Sequence, residues 1–130
     1  MFDALMIDAN PDALLVELAV VIPTFNEIDN VEELLRRLDR VLQGVAFEVI
    51  FVDDDSPDGT AERLQALSRR FPRVRCLRRI GRRGLSSACV EGMLASGAPF
   101  LAVMDADLQH DEALLPSMLG VLRDEPIDIV

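Results

Sequence analysis

Short continuous apolar runs alternate along this chain with longer stretches in which apolar residues recur every three or four positions. After a poorly patterned leader over residues 1–16, Leu18 to Ile22 is wholly apolar and is stopped by Pro23, which predicts a buried strand. A helix is expected next, with Asn30 as N-cap, Glu33 three residues on, and Ile28, Val31, Leu34, Leu35, Leu38, Val41 and Leu42 at helical spacing up to Gly44. Phe47 to Val52 is a second apolar strand ending at Asp53-Asp54-Asp55. Pro57-Asp58-Gly59 then turns the chain into a helix with Ala61, Leu64, Leu67 and Phe71 on one face. Beyond Pro72 come a short third strand, Val74 to Leu77, and a Gly-Arg-Arg-Gly turn at residues 81–84. The next helix, from about Ser86 to Ser96, has a small inner face of Ala88, Cys89 and Gly92. Phe100 to Met104 predicts a fourth strand, Asp111 caps a helix carrying Leu114, Leu115, Met118, Leu119 and Leu122, and Ile127 to Val130 is expected to open a fifth.

Strands that are apolar on both faces and alternate with helices call for an α/β fold, a mostly parallel sheet with helices on both faces. Ligands of such sheets bind beyond the carboxyl ends of the strands, where the strand order reverses. The three polar clusters, Pro23 to Glu27, Asp53 to Asp58 and Asp105 to Gln109, all fall at expected carboxyl ends. That shared placement favours a binding site over three solvated loops.

Composition narrows the partners. A chain of 130 residues, half of them hydrophobic, makes one domain with a real core, here expected over residues 17–130. The net charge of −10 disfavours nucleic acid. All thirteen basic residues are Arg. Arg69, Arg70, Arg73, Arg75, Arg78, Arg79, Arg82 and Arg83 crowd into one segment, which either meets phosphates or an anionic membrane surface or is simply solvated. Cys76 and Cys89 lack metal or redox spacing and read as buried reduced thiols. Residues 1–16 carry acids and no Lys or Arg, unlike a signal peptide, and no apolar run approaches a membrane span. The expected location is cytoplasmic, with peripheral contact at the cytoplasmic membrane face allowed.

The densest chemistry is in Met104-Asp105-Ala106-Asp107-Leu108-Gln109-His110. In an extended segment residues i and i+2 point the same way, so Asp105 and Asp107 can converge. Two carboxylates about 4 Å apart repel by roughly 1 kcal/mol in water and about 4 kcal/mol at an effective dielectric of 20. A shared proton or a bound cation relieves this, and all-oxygen ligands suit Mg2+ or Mn2+. The alternative is that these acids cap the following helix. Phe25 beside Asn26 and Glu27 suits a nucleobase or ribose, or packs as part of a loop. One acid of the Asp53–Asp58 cluster can accept from a base N–H while others cap the helix near Thr60. No Gly-x-Gly-x-x-Gly follows the first strand and no Gly-Lys-Ser/Thr occurs, so a dinucleotide cofactor and a P-loop are not expected.

Four motifs in order, Val-Val-Ile-Pro-Thr-Phe-Asn-Glu (20–27), Val-Asp-Asp-Asp-Ser-Pro-Asp-Gly-Thr (52–60), Arg-Arg-Gly-Leu-Ser-Ser-Ala (82–88) and Met-Asp-Ala-Asp-Leu-Gln-His (104–110), resemble the family 2 glycosyltransferases, and within them the polyprenol-phosphate (dolichol-phosphate) mannosyltransferase branch. The resemblance implies an A-type glycosyltransferase fold, Rossmann-like, and a metal-dependent inverting transfer of a sugar from a nucleotide-diphosphate donor such as GDP-mannose to a polyprenyl-phosphate acceptor. It implies that Pro23, Phe25, Glu27, Val52 and Asp54 contact the donor nucleotide and that Asp105, Ala106 and Asp107 lie by the diphosphate. Asp105, Asp107 and Gln109 would hold Mg2+ or Mn2+, with Asp107 the catalytic residue. The family often has Tyr where Phe25 stands, and Arg82 and Arg83 match its basic Gly-Leu-Ser motif without showing which enters the site. His110 reads as a loop residue and not a catalyst.

Catalytic domains of this family are much longer than 130 residues, so the chain is expected to be truncated after the donor half-site. A non-catalytic nucleotide-sugar-binding or assembly module is the alternative. A sugar-nucleotide pyrophosphorylase would need a Gly-rich basic loop after the first strand. A two-component receiver would need its acid pair there and a Lys near the fifth strand.

Overall fold

In the computed structural model, which describes residues 15–130, the alternating pattern becomes four parallel strands in the order β3-β2-β1-β4. They are β1 (Leu18–Thr24), β2 (Phe47–Asp53), β3 (Val74–Arg78) and β4 (Phe100–Val103). Between them run α1 (Val31–Val41), α2 (Thr60–Arg70) and α3 (Leu85–Leu94), and a 3-10 turn Glu112–Leu114 leads into α4 (Leu115–Asp124). The chain moves outward from β1 to β2 to β3, then crosses back so that β4 pairs with the other side of β1. The strand order therefore reverses between β1 and β4.

Burial follows the two-residue period of the strands. Val20, Ile22, Val49 and Phe51 face Leu34 and Leu38 of α1, Leu64 and Leu67 of α2 and Leu119 of α4. Ala19, Val21, Ile50 and Val52 face Ala88 on α3. Fully burying each large aliphatic or aromatic side chain of these layers stabilises the fold by about 1.5–3 kcal/mol. On the α3 side the layer is thin because Gly92 meets the sheet: a Cβ there would stand 2.3 Å from Val21 Cγ1.

Several local expectations change. β1 runs through Pro23 to Thr24. The carbonyl of Thr24 accepts from Asp54 N toward β2, so the missing N–H of Pro23 faces the opposite way, past the point where β4 ends opposite Val21. No ladder bond is lost there. Asn30 occupies the N-cap of α1 without capping it: its Nδ2 donates to Glu27 Oε2 at 2.7 Å, while Glu33 pairs with Arg36 and Arg37. Asp111 does cap, accepting from Ala113 N.

Residues 127–130 form no strand; a strand needs a ladder, and among the described residues nothing pairs with them. Cys76 and Cys89 are free and half-buried, and burial pushes the Cys76 thiol up to about 11. The leader expected over residues 1–16 falls, except for its last two residues, outside the described residues.

Candidate functional site

The three polar clusters meet at the carboxyl rim of the sheet, and side chains of the second clamp the backbone of the first. Asp53, fully buried, accepts from Thr24 Oγ1 at 2.8 Å and from Ser56 N and Oγ. Ser56 Oγ in turn accepts from Asn26 N at 2.9 Å, Thr60 Oγ1 from Glu27 N at 3.0 Å and Asp58 Oδ2 from Ile28 N at 3.3 Å. Three successive N–H groups after β1 are thus held by the loop after β2. That mounting leaves Phe25 exposed at the strand end and Pro23 and Glu27 half-buried beside it.

Backbone strain concentrates on the same rim. Among the described residues, the non-glycine residues with positive φ are Asn26 (55°), Asp55 (56°) and Leu108 (63°), one beyond each of β1, β2 and β4. Asn and Asp tolerate this conformation, whereas a bulky Leu adopts it only when its surroundings impose it, and such residues cluster at functional sites.

Asp54 is committed inside the protein. Arg79, only 2% exposed, donates from Nε to Asp54 Oδ1 at 2.6 Å and from Nη2 to Oδ2 at 3.1 Å, and Gly84 N also donates to Oδ2. The same guanidinium reaches Glu91 Oε2, Ser87 Oγ and the Gly84 carbonyl. Burial pushes the Asp54 carboxyl up, but Arg79, the Gly84 N–H and Arg83 outweigh it and hold it below the usual carboxylate range. Arg79 was not separable in the sequence from its exposed neighbours. The signal was the acid cluster at the end of β2, which with no Lys in the chain had to find an arginine.

The arginine run is not one patch. β3 sends Arg69, Arg70 and Arg73 to the amino end of the sheet and Arg78, Arg79, Arg82 and Arg83 to the rim. There Arg78 pairs with Asp55 and Glu62, and Arg82 with Glu91. Arg83 instead lies over the Phe25 ring, 4.5 Å from its centroid. Of the two arginines in the motif, Arg83 is the one turned to the site.

Asp105 and Asp107 emerge just past β4, at the point of strand reversal. The extended geometry expected for them ends early: β4 stops at Val103 and the chain bends at Ala106, Asp107 and Leu108. Ala106 is buried in the core and the two acids flank it, Asp105 half-exposed and Asp107 exposed. Asp107 Oδ1 accepts from Gln109 N, and His110 lies against Asp105, its Nε2 3.4 Å from Oδ2. Val52, expected beside the base, has its side chain in the α3-side core, so it shapes the rim through the strand end alone.

The donor set suits a hard divalent cation. Asp53, Asp54, Asp55 and Asp58 are each taken up by hydroxyls, N–H groups or arginines, whereas Asp105 and Asp107 have no arginine partner among the described residues. No group of three or more His, Cys, Asp or Glu side chains is gathered for a metal among the described residues. One or two carboxylates completed by water and substrate phosphates is the arrangement Mg2+ commonly takes, in place of an all-protein cage. A cavity of about 760 Å³ lined by residues including Leu35, Phe47, Phe71 and Arg73 lies at the amino end, away from all these groups.

This parallel sheet, with its acid turn at the switch point, has the A-type glycosyltransferase fold of the solved structures it superposes on. The chain belongs to glycosyl transferase family 2, whose model matches residues 19–130. It is 44% identical over 107 residues to a dolichol-phosphate mannosyltransferase of Pyrococcus furiosus, covering 82% of this chain and 30% of that protein. A dolichol-phosphate mannosyltransferase of Saccharomyces cerevisiae is 37% identical over 112 residues, covering 84% and 42%. Among solved structures, a mannosyltransferase from Pyrobaculum calidifontis in complex with GDP-mannose and Mn2+ superposes with TM-score 0.70 at 25% identity, over 92% of this chain and 36% of that one. Mannosyl-3-phosphoglycerate synthase from Rubrobacter xylanophilus, at 18% identity and TM-score 0.70, over 85% of this chain and 38% of that one, shares the fold. The chain thus spans well under half the length of these relatives.

Proposed function

We propose that this chain carries the donor half-site of a metal-dependent inverting glycosyltransferase that moves mannose from GDP-mannose to a polyprenyl phosphate. The observation that carries this reading is the acid turn: Asp105 and Asp107 have no arginine partner among the described residues, their side-chain contacts being His110 and the Gln109 N–H. The names of the relatives and the GDP-mannose and Mn2+ of the Pyrobaculum complex support the same donor and metal.

In this reading Phe25, Glu27 and Pro23 receive the nucleotide on the loop clamped by Ser56, Asp58 and Thr60. Asp105, Asp107 and Gln109 would hold Mg2+ or Mn2+, and a divalent ion bound there would supply Lewis-acid stabilisation of the departing diphosphate, a contribution of several kcal/mol. The acceptor phosphate oxygen bonds to the anomeric carbon from the face opposite the leaving group, as the bond from that carbon to the diphosphate oxygen breaks, which inverts the centre. That nucleophile is already anionic near neutral pH, so the described residues need supply no strong base. Asp54, clamped by Arg79, sets the floor of the nucleotide site.

A lipid-phosphate acceptor sets the reaction at a membrane surface, with the protein peripheral on its cytoplasmic face. Among the described residues no helix is long and apolar enough to cross a membrane. The second reading is donor binding without turnover. Two measurements separate these readings: calorimetry of GDP with and without Mn2+, and transfer of labelled mannose from GDP-mannose to dolichyl phosphate. Metal-dependent GDP binding with transfer supports the enzyme, and binding without transfer supports the module. Absence of GDP binding removes both.

A further inference from the structure

We propose that Arg83 is the protein's own cation for the donor diphosphate, stored on the face of Phe25 until that anion arrives. This rests on the donor-site reading above. Four arginines stand at the rim of a chain whose net charge is −10, and three of them are spent on carboxylates: Arg78 on Asp55 and Glu62, Arg79 on Asp54 and Glu91, Arg82 on Glu91. Arg83 has no carboxylate within ion-pair distance among the described residues. Its described contact is the Phe25 ring, 4.5 Å from the guanidinium carbon to the centroid.

A cation held by the face of an exposed ring and the longer-range pull of Asp54, with no ion pair, is weakly held. A phosphate offers the same guanidinium paired charge-assisted hydrogen bonds in a planar fork, which are stronger. The mounting suits a transfer between the two. Arg83 precedes Gly84, whose N–H donates to Asp54 Oδ2 and whose carbonyl accepts from Arg79, so the base of the loop is pinned. Gly81 (φ 79°) and Gly84 (φ 133°) bracket it in backbone conformations that other residues rarely adopt. Storage also has a cost for the ligand: while Arg83 covers the ring, a base cannot stack on that face. The diphosphate, by drawing Arg83 away, opens the shelf for its own nucleoside.

Calorimetry with GDP and with guanosine, each without added metal and then with Mn2+, tests this on wild type, Arg83→Ala, Arg83→Gln and Arg82→Ala. Arg83→Ala and Arg83→Gln are expected to weaken GDP binding tenfold or more while guanosine binding is unchanged or tighter, and Arg82→Ala is expected to leave both within twofold. The inference is overturned if the Arg83 variants bind GDP as wild type does, or lose GDP and guanosine in equal proportion, which marks Arg83 as only a prop for Phe25. Wild-type protein that fails to bind GDP even with Mn2+ overturns the donor-site reading and this inference together.

Discussion

The Arg79 guanidinium and the Asp54 carboxylate meet side-on in the interior, Nε to Oδ1 at 2.6 Å and Nη2 to Oδ2 at 3.1 Å, and join the end of β2 to the end of β3. Taking one partner from a buried pair strands the other's charge, which costs about 3–5 kcal/mol. Glu91 still touches Arg79, so Asp54→Asn is expected near the lower end, a loss of about 3 kcal/mol. Urea denaturation of the two proteins measures it. A loss below about 1 kcal/mol would show that Glu91 alone satisfies the arginine.

The same carboxylates set the response to acid. Arg79 holds Glu91 low, and Arg123 holds Glu17 low. Burial pushes Asp54 and Asp58 up, but Arg79 for the first and Thr60 for the second leave both low. A group whose folded pKa is depressed stabilises the fold above its unfolded value and loses that contribution as pH falls toward the folded one. Stability should therefore be complete at pH 7 and decline as pH drops below the ordinary values of 3.8 for Asp and 4.5 for Glu. Urea midpoints from pH 7 to pH 3 follow the decline, and Asp54→Asn should lose less over that range than wild type.

Gly92 tests the thin side of the sheet. An added Cβ would stand 2.3 Å from Val21 Cγ1 and 3.0 Å from Val52 Cγ2, both in the centre of the core. Overpacking of this kind costs about 1–3 kcal/mol. Gly92→Ala is expected to fall in that range and, by lifting α3, to loosen the Arg79–Glu91 contact. Gly97→Ala, with nothing within 4 Å and no positive φ, is the neutral control. Equal urea midpoints for the two variants would show that α3 shifts outward at no cost.

Much of this was legible in the residues. The runs Leu18–Ile22 and Phe47–Val52 are apolar on both faces because both faces are covered, and Ala88 and Gly92 announced how closely α3 approaches. What stayed hidden depends on contacts distant in sequence. Nothing local distinguishes Arg79 from Arg78, yet Asp54 and Glu91 bury one while Asp55 holds the other at the surface. Alternation suggested that Asp105 and Asp107 share a direction, but β1 offers β4 a ladder only as far as Val21, so the chain bends before the second acid. Period-two reasoning ends where the ladder ends.

Structural and chemical aspartates should then separate cleanly on substitution. Asp58 accepts from Thr60 N and Oγ1 and from Ile28 N, so Asp58→Ala removes the turn that ties the start of α2, whose N-cap is Gly59, to the loop carrying Phe25. Losing hydrogen bonds of this kind costs about 1 kcal/mol. Asp105→Asn and Asp107→Asn remove charge from an exposed turn that gives the fold only the Gln109 N–H and the His110 contact, and an amide oxygen still accepts. Those two variants are expected to keep the wild-type urea midpoint while Mn2+-dependent GDP binding falls at least tenfold, and Asp58→Ala to show the reverse emphasis. Midpoints from denaturation, set beside calorimetric GDP affinities with Mn2+ and with a chelator, decide it. If the two Asn variants unfold early and bind GDP as wild type does, the acid turn is a structural cap, and the metal must be sought elsewhere or abandoned.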